Sequence, residues 1–348
     1  MDKVLKQVAG VDVAQKELVV SLGRLKGDLE SEIYAYKVFK NTEAGILALL
    51  KWSRSLADPD LSLHFVMEAT GVYHEKFAYH LDGEGYKVSI VLPNKISSYI
   101  RTLEVKTVTD KTCSEAIARY GLERKLDPWN RPKRIFKILK QLTRERDQIV
   151  DERTSVKNQL HAEETEAWPN DRSIGRLKER IKFLNKQEAE IKQDIDAVVE
   201  QDEQLKQEIA NVCTIPGVGK LTAITIFAET NGFELIRNKK QLTSYAGLDV
   251  REKQSGTSVK GKPKISKRGN RYIRKALHLP SLSAVKYNDD NKDLYSRIVS
   301  KSGIKMKALI AVQRKMLELI YILHKNKTPY IKGYQVKRKA NSNMVAAL

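Results

Sequence analysis

Only two cysteines, Cys113 and Cys213, occur in 348 residues, too few for a disulfide-stapled secreted scaffold or a Cys-rich zinc site. The six histidines form no HxxxH pair and no His/Cys cluster, which sets a zinc enzyme aside. No run approaches the roughly 18 to 20 apolar residues of a membrane span. The opening MDKVLKQVAGVDVA is too polar for a signal peptide. These absences predict a cytoplasmic chain in a reducing compartment, with no membrane partner. Wholesale disorder is excluded too, because 41% hydrophobic and 30% charged residues are ordinary for a globular chain, here long enough for two or three domains.

Balance of charge is also lacking. Lys and Arg number 63 against 43 Asp and Glu, a net charge of +20. Residues 211–348 alone hold 28 basic and 8 acidic residues and so carry the entire excess. So basic a segment repels itself until a polyanion neutralises it, and counterion release from phosphate makes nucleic acid the natural partner. A membrane surface suits the charge less well, since no amphipathic helix with an aromatic apolar face accompanies it.

Along the chain the patterning changes twice. Residues 1–130 read as one mixed α/β domain: strands at Gln7–Val13, Glu17–Leu22 and Glu32–Phe39, a helix over 42–56, and a strand at Leu61–Met67. A helix over 72–81, a strand over 87–92 and helices near 96–103 and 111–122 complete it. Over 131–210, apolar residues recur at three-, four- and seven-residue steps amid dense charge, from Ile135 to Val156 and from Ile174 to Val198. That pattern predicts an antiparallel coiled-coil hairpin turning at Trp168-Pro169-Asn170, a spacer or oligomerisation arm. Residues 211–334 read as a mostly helical domain with a basic loop near 250–270, and 335–348 as a loose tail.

Three acids stand where chemistry is plausible. Asp12 ends the first strand pattern and Glu68 ends the fourth, each after apolar residues, and Asp110 opens an amphipathic helix. A single acid at such a place is usually a cap or a surface residue. Acids at two neighbouring strand ends and on an adjoining helix can instead converge, and their hard oxygens suit Mg²⁺, which orients a phosphate and stabilises its developing charge. Further on, Ile215-Pro216-Gly217-Val218-Gly219-Lys220 reads as a helix-hairpin-helix turn able to hold a phosphate on backbone N–H groups, or as a plain helix–helix turn. Gln254-Ser255-Gly256 precedes a cationic run, Lys260, Lys262, Lys264, Lys267, Arg268, Arg271 and Arg274. Cations beside a serine could favour attack on a phosphodiester, although a loop Ser-Gly is more often a turn.

Taken together, these pieces resemble the DEDD-type insertion-sequence transposases, the family that includes the pilin-gene DNA invertase. The matching stretches are Gly10-Val11-Asp12-Val13, Met67-Glu68-Ala69-Thr70-Gly71-Val72-Tyr73, Leu92-Pro93-Asn94-Lys95 and Thr109-Asp110-Lys111 with Ala116-Ile117-Ala118-Arg119-Tyr120-Gly121. They continue with Ile215-Pro216-Gly217-Val218-Gly219, Tyr245-Ala246-Gly247-Leu248, Gln254-Ser255-Gly256, and Ile265-Ser266-Lys267-Arg268-Gly269-Asn270 with Arg274. The resemblance spans nearly the whole chain. It implies an α/β plus α architecture: a RuvC-like (RNase H-type) domain, a coiled coil and a C-terminal transposase domain. It also implies a nucleoid-associated bacterial recombinase that cuts and rejoins donor and target DNA, works as a dimer or tetramer, and is guided by a noncoding bridge RNA. Carried over, Asp12, Glu68 and Asp110 would bind Mg²⁺ and Ser255 would form a covalent link to DNA.

One position departs from the family pattern. A fourth acid is expected three residues after Asp110, and Cys113 stands there; thiol sulfur is a poor partner for Mg²⁺. Glu115 could substitute from the same helix, three acids could suffice, or catalysis could be impaired. Two rival functions therefore stand beside recombination: a RuvC-like Holliday-junction resolvase or nuclease using metal-activated water, and a nucleic-acid-binding protein without activity.

Overall fold

The computed structural model describes residues 3–69, 71–103, 107–252, 254–255, 259–261 and 264–332, with the backbone alone at 254, 255, 259 and 260. The tail expected over 335–348, and Lys262, lie outside the described residues. Contacts gather the chain into two compact units, Met1–Arg131 and Pro132–Leu348.

In the first unit, β1 (Val4–Val13), β2 (Glu17–Lys26) and β3 (Ser31–Lys40) are followed by α1 (Glu43–Leu56), β4 (Leu63–Glu68), α2 (Glu75–Gly83), β5 (Lys87–Val91), α3 (Pro93–Ile100) and α4 (Asp110–Glu123). This is the order the sequence predicts. The sheet runs β3-β2-β1-β4-β5, antiparallel through β3, β2 and β1 and parallel from β1 to β5. Central β1 is apolar on both faces, with Val8, Ala9 and Val11 fully buried, so helices must cover both. On one side α1 and α2 press Ile46, Leu49, Phe77 and Leu81 against Val11, Val20 and Phe65. On the other, α3 and α4 bring Ile96, Ile117 and Leu122 onto Val8, Val66 and Val91.

The two-residue period of a strand puts Lys6, Val8, Gly10 and Asp12 on the α4 face. Gly10 lets α4 come close: a Cβ there would meet the Ala118 backbone nitrogen at 2.3 Å and the Ser114 carbonyl at 2.5 Å. Gly121 does the same about one helical turn further along α4, where a Cβ would sit 2.8 Å from the side chains of Val8 and Val66. Helix α4 therefore lies along β1 with its first turn at the Asp12 end.

The second unit begins with two long helices, α5 (Arg134–Thr165) and α6 (Asp171–Glu200), the latter capped by Asn170. Their ion pairs, Arg146–Glu188 at 2.8 Å, Arg180–Glu152 at 2.8 Å and Lys178–Glu164 at 3.0 Å, fix an antiparallel pairing. The remaining helices are α7 (Glu203–Cys213), α8 (Lys220–Thr230), α9 (Lys239–Tyr245), α10 (Arg271–Ala276), α11 (His278–Tyr287), α12 (Asp289–Ser302) and α13 (Lys305–Asn326). Leu139, Ile149 and Ile195 of the long helices share one core with Val212, Ile224, Phe227, Val312 and Ile320.

The segment near 250–270 is not the loop that its polar composition suggests. Between α9 and α10, β6 (Val250–Arg251) pairs with β9 (Lys264–Ile265), and β7 (Gln254–Ser255) with β8 (Val259–Lys260), both antiparallel. Two-residue strands are too short to display alternation in the sequence.

Candidate active site and nucleic-acid interface

The register of the central strands assembles the acidic site. Val11 of β1 pairs with Met67 of β4, so the next residues, Asp12 and Glu68, leave neighbouring parallel strands side by side. Glu68 in turn pairs with Val91 of β5. Asp110 is the first residue of α4, held by a reciprocal cap: Thr112 N–H donates to Thr109 Oγ1 (3.2 Å) and Thr109 N–H donates to Thr112 Oγ1 (2.8 Å). The cap fixes where the helix starts, and the glycine contact at Gly10 fixes how near it comes.

Asp12 lies within electrostatic reach of both other acids. Burial first, then the charges of Asp110 and Glu68, raise the Asp12 carboxyl from 3.8 to about 6, against the stabilising Val13 backbone N–H. Cys113 is shifted up as well, by burial and then by Asp12, Glu68 and Asp110. The position of the missing fourth acid thus lies beside the other three, occupied by a thiol that stays protonated. Glu115 does not take its place. Ser114 lies on the buried face of α4, bonded to Ser21 across 2.7 Å. At 100° per residue, Cys113 and Glu115 flank it on opposite sides, and Glu115 lies 3.9 Å from Lys111.

Among the described residues no three such side chains stand close enough together to ligate one ion, so the acids form an open donor set rather than a closed cage. The donor chemistry nonetheless fits a divalent, oxygen-seeking cation: Asp12, raised by burial and then by Asp110 and Glu68, would be stabilised in its charged form by positive charge beside it.

In the second unit the strands β6 to β9 stand on a closed base. Ser266 N–H donates to Asp249 O (2.9 Å), Lys267 N–H to Gly247 O (3.1 Å) and Asn270 N–H to Tyr245 O (2.7 Å). Gly247 takes a left-handed φ of 68°, and a Cβ on Gly269 would strike the Gly247 nitrogen at 2.5 Å. Arg274 donates from Nη1 to Ala246 O (2.7 Å) and Gly269 O (3.2 Å), so part of its guanidinium braces this base instead of facing a ligand. Lys264, Lys267, Arg268 and Arg271 are exposed. Ser255 lies in β7 opposite Val259; its side chain and that of Lys260 lie outside the described residues. In the 214–219 turn, Gly217 has φ 92° and backs onto α11, where a Cβ would meet Pro280 O at 2.6 Å. Gly219 opens onto space, and Lys220 pairs with Asp196 at 2.6 Å.

The sequence matches transposases across both units. The family described as DEDD_Tnp_IS110 transposase matches residues 9–169, and the Transposase IS116/IS110/IS902 family matches 209–296. The pilin gene-inverting protein of Moraxella bovis is 30% identical over 301 residues, covering 84% of this chain and 90% of that protein. The chain belongs to the IS116/IS110/IS902 family of transposases. It is an enzyme that cuts and rejoins DNA. A further member of the transposase group, the transposase for insertion sequence element IS1111A of Coxiella burnetii, is 24% identical over 287 residues, 74% of this chain and 76% of that one. Among solved structures, Thermus thermophilus RuvC in complex with a Holliday junction substrate aligns with 35% of this transposase and 99% of its own chain, at 12% identity and a TM-score of 0.26. Among the described residues no helix is long and apolar enough to cross a membrane.

The sequence reading passed over Glu229. Its side chain is fully buried, takes a two-pronged bond from Arg144 (2.6 and 2.9 Å) and accepts from Asn270 Nδ2 at 2.6 Å. Tyr245 donates to the Glu229 carbonyl (2.8 Å). Glu229 thereby ties the base of the β-strand arm to α5 and α8. The signal in the sequence was an acid ending the apolar run Ile224-Thr225-Ile226-Phe227-Ala228, which burial tolerates only with partners.

Proposed function

We propose that this transposase exchanges strands of an insertion sequence and its target through a covalent serine–DNA intermediate, with Asp12, Glu68 and Asp110 holding Mg²⁺ and Ser255 as nucleophile. The observation that supports it most is the placement of Asp12 and Glu68 at the ends of neighbouring parallel strands beside the first turn of α4, where burial, then Asp110 and Glu68, raise the Asp12 carboxyl. When bound there, the cation supplies orientation of the scissile phosphate and stabilisation of its developing charge. The Ser255 hydroxyl attacks phosphorus, an O–P bond to serine forms, and the P–O3′ bond breaks. The departing 3′ oxygen takes up a proton as serine loses its own. A 3′-hydroxyl from the exchanged strand reverses these steps and frees the serine. Exposed Lys264, Lys267, Arg268 and Arg271, with Lys260, Lys262 and the part of the Arg274 guanidinium not spent on Ala246 and Gly269, hold the backbone. Gly217, Gly219 and Lys220 are a further phosphate contact on the same reading. A RuvC-like (RNase H-type) N-terminal domain, a bridge RNA that pairs with both DNA partners, and a dimer or tetramer assembled through a coiled coil of the long helices complete the proposal.

The test is strand exchange with donor DNA, target DNA and the RNA encoded beside the gene. Asp12→Asn and Ser255→Ala should each abolish product. Mg²⁺-dependent cutting that survives Ser255→Ala would instead make the enzyme a water-using nuclease, and exchange that survives Asp12→Asn would remove the carboxylates from the chemistry.

A further inference from the structure

At the opposite end of α4 from the carboxylates the fold builds a second polar pocket, within the first unit. Lys6 of β1, His64 of β4 and Lys87 of β5 share the α4 face on three neighbouring strands: Val8 pairs with His64, and His64 with Lys87. Residues 122–128 roof them, tied down where Ser89 Oγ donates to Asp127 O (2.7 Å) and Trp129 N–H donates to Val88 O (2.7 Å). The resulting cavity of about 450 Å³ is lined by four basic side chains, Lys6, Lys87, Arg124 and Lys125, by His64, and by two acids, Glu123 and Asp127. Lys6 spends its protons on the carbonyls that end α4, Gly121, Leu122 and Arg124, which offsets the negative end of the helix dipole. Glu123 accepts from Tyr99 Oη at 2.6 Å. Lys87, Arg124 and Lys125 enter no ion pair among the described residues, so cationic charge is left over.

His64 forms the floor and is 3% exposed. The one proton of Ser89 goes to Asp127 O, so Ser89 Oγ must accept from His64 Nε2–H, 2.9 Å away. Nδ1 is then a bare lone pair, and it is buried with no hydrogen-bond partner. Burial, then Lys87 and Lys6, hold this imidazole neutral, down at about 4. Lys6 is itself lowered by burial and by Lys87. Unpaired cationic side chains gathered over a buried histidine nitrogen that lacks a partner leave room and charge for an anion that also carries a proton to share.

We propose that this pocket is a phosphate-binding site, separate from the carboxylates, that seats a phosphate of the nucleic acid the enzyme handles. Lys6 and Asp12 are six steps apart on β1, about 20 Å at 3.3 Å per residue, or about six base-pair steps along a duplex axis. The proposal rests on the reading of the enzyme as a strand-exchanging transposase only for the identity of the polyanion; the pocket's affinity for phosphate does not depend on it.

The full-length protein with isotope-labelled histidine tests the site, using His64→Gln to assign the His64 resonance. Inorganic phosphate at fixed ionic strength should move the His64 midpoint from near 4 toward 6.5, whereas chloride should not. The groups around that ring are Lys6, Lys87 and Ser89 and, from the 122–128 segment, Glu123, Arg124, Lys125 and Asp127, and Lys87→Ala/Lys125→Ala should abolish the phosphate response. In a second arm, the salt dependence of duplex oligonucleotide binding is compared. A slope shallower in Lys87→Ala/Lys125→Ala, by about 0.9 for each phosphate no longer neutralised, supports a backbone phosphodiester as the occupant. An unchanged slope with the His64 response intact supports phosphate recognition and assigns it to a free phosphate compound. No response of His64 to phosphate overturns the site, whatever the strand-exchange results for Asp12 and Ser255.

Discussion

Replacing Asp12 by asparagine should stabilise the first unit while destroying activity, and the size of the gain follows from the structure. Burial and the neighbouring acids move its carboxyl from 3.8 to about 6. At 1.36 kcal/mol per tenfold change, ionising it in the folded chain costs about 3 kcal/mol. Partial exposure screens the charges and reduces this to about 1–2 kcal/mol. The folded state holds this proton more tightly than the unfolded chain does. The penalty is therefore absent below about pH 4, grows between pH 4 and 6, and is complete above pH 6. Asp12→Asn should gain about 1–2 kcal/mol at pH 7.5 and progressively less toward pH 4.5. Urea unfolding followed by tryptophan fluorescence reads the correct unit. Trp52 lies 5.4 Å from Phe39 and Trp129 5.3 Å from Tyr79, whereas Trp168 is already 90% exposed. A variant less stable than wild type at pH 7.5, or equally stabilised at both pH values, would refute the reasoning.

Other substitutions probe the same architecture. Cys113→Asp adds a carboxylate to the three that already face that position, and calorimetry should show tighter Mg²⁺ binding; unchanged affinity would mean the side chain does not reach the ion. Gly10→Ala should cost about 1–3 kcal/mol or more, because the atom a Cβ meets at 2.3 Å is the Ala118 backbone nitrogen; the same fluorescence unfolding measures it. Glu229→Ala leaves Arg144 and Asn270 without their buried partner and should destabilise the second unit by about 3–5 kcal/mol, seen as an earlier melt by circular dichroism. Glu188, held down at about 2 by Lys192, Arg153 and Arg146 despite burial, stabilises the α5–α6 pair above the ordinary carboxylate range. That contribution should fade as pH falls toward 2, and Glu188→Gln should flatten the acid limb of the melt.

Much of the first unit was legible because its signals are periodic. The order of strands and helices, and the positions of Asp12 and Glu68 at strand ends, follow from apolar runs closed by acids. Packing was not legible. Nothing in the sequence distinguishes Gly10 and Gly121, which admit α4 to the sheet, from glycines such as Gly83 and Gly175 that meet nothing within 4 Å. The β6–β9 arm was missed because two-residue strands carry no period. Arg274 read as a free cation because composition counts charge, not partners. Glu115 looked able to replace the fourth acid until the helix put it on the other flank. Lys6, His64 and Lys87 lie far apart in the chain and became a pocket only through strand register.

Whether Ser255 and Asp12 act on one phosphodiester is read by trapping the protein on its DNA. Wild-type enzyme with Mg²⁺, both DNA partners and its RNA is denatured, digested and the DNA-linked peptide sequenced by mass spectrometry. A phosphodiester on Ser255 that disappears in Asp12→Asn is expected. A linkage on another residue, or cut DNA with no attached peptide, would contradict it.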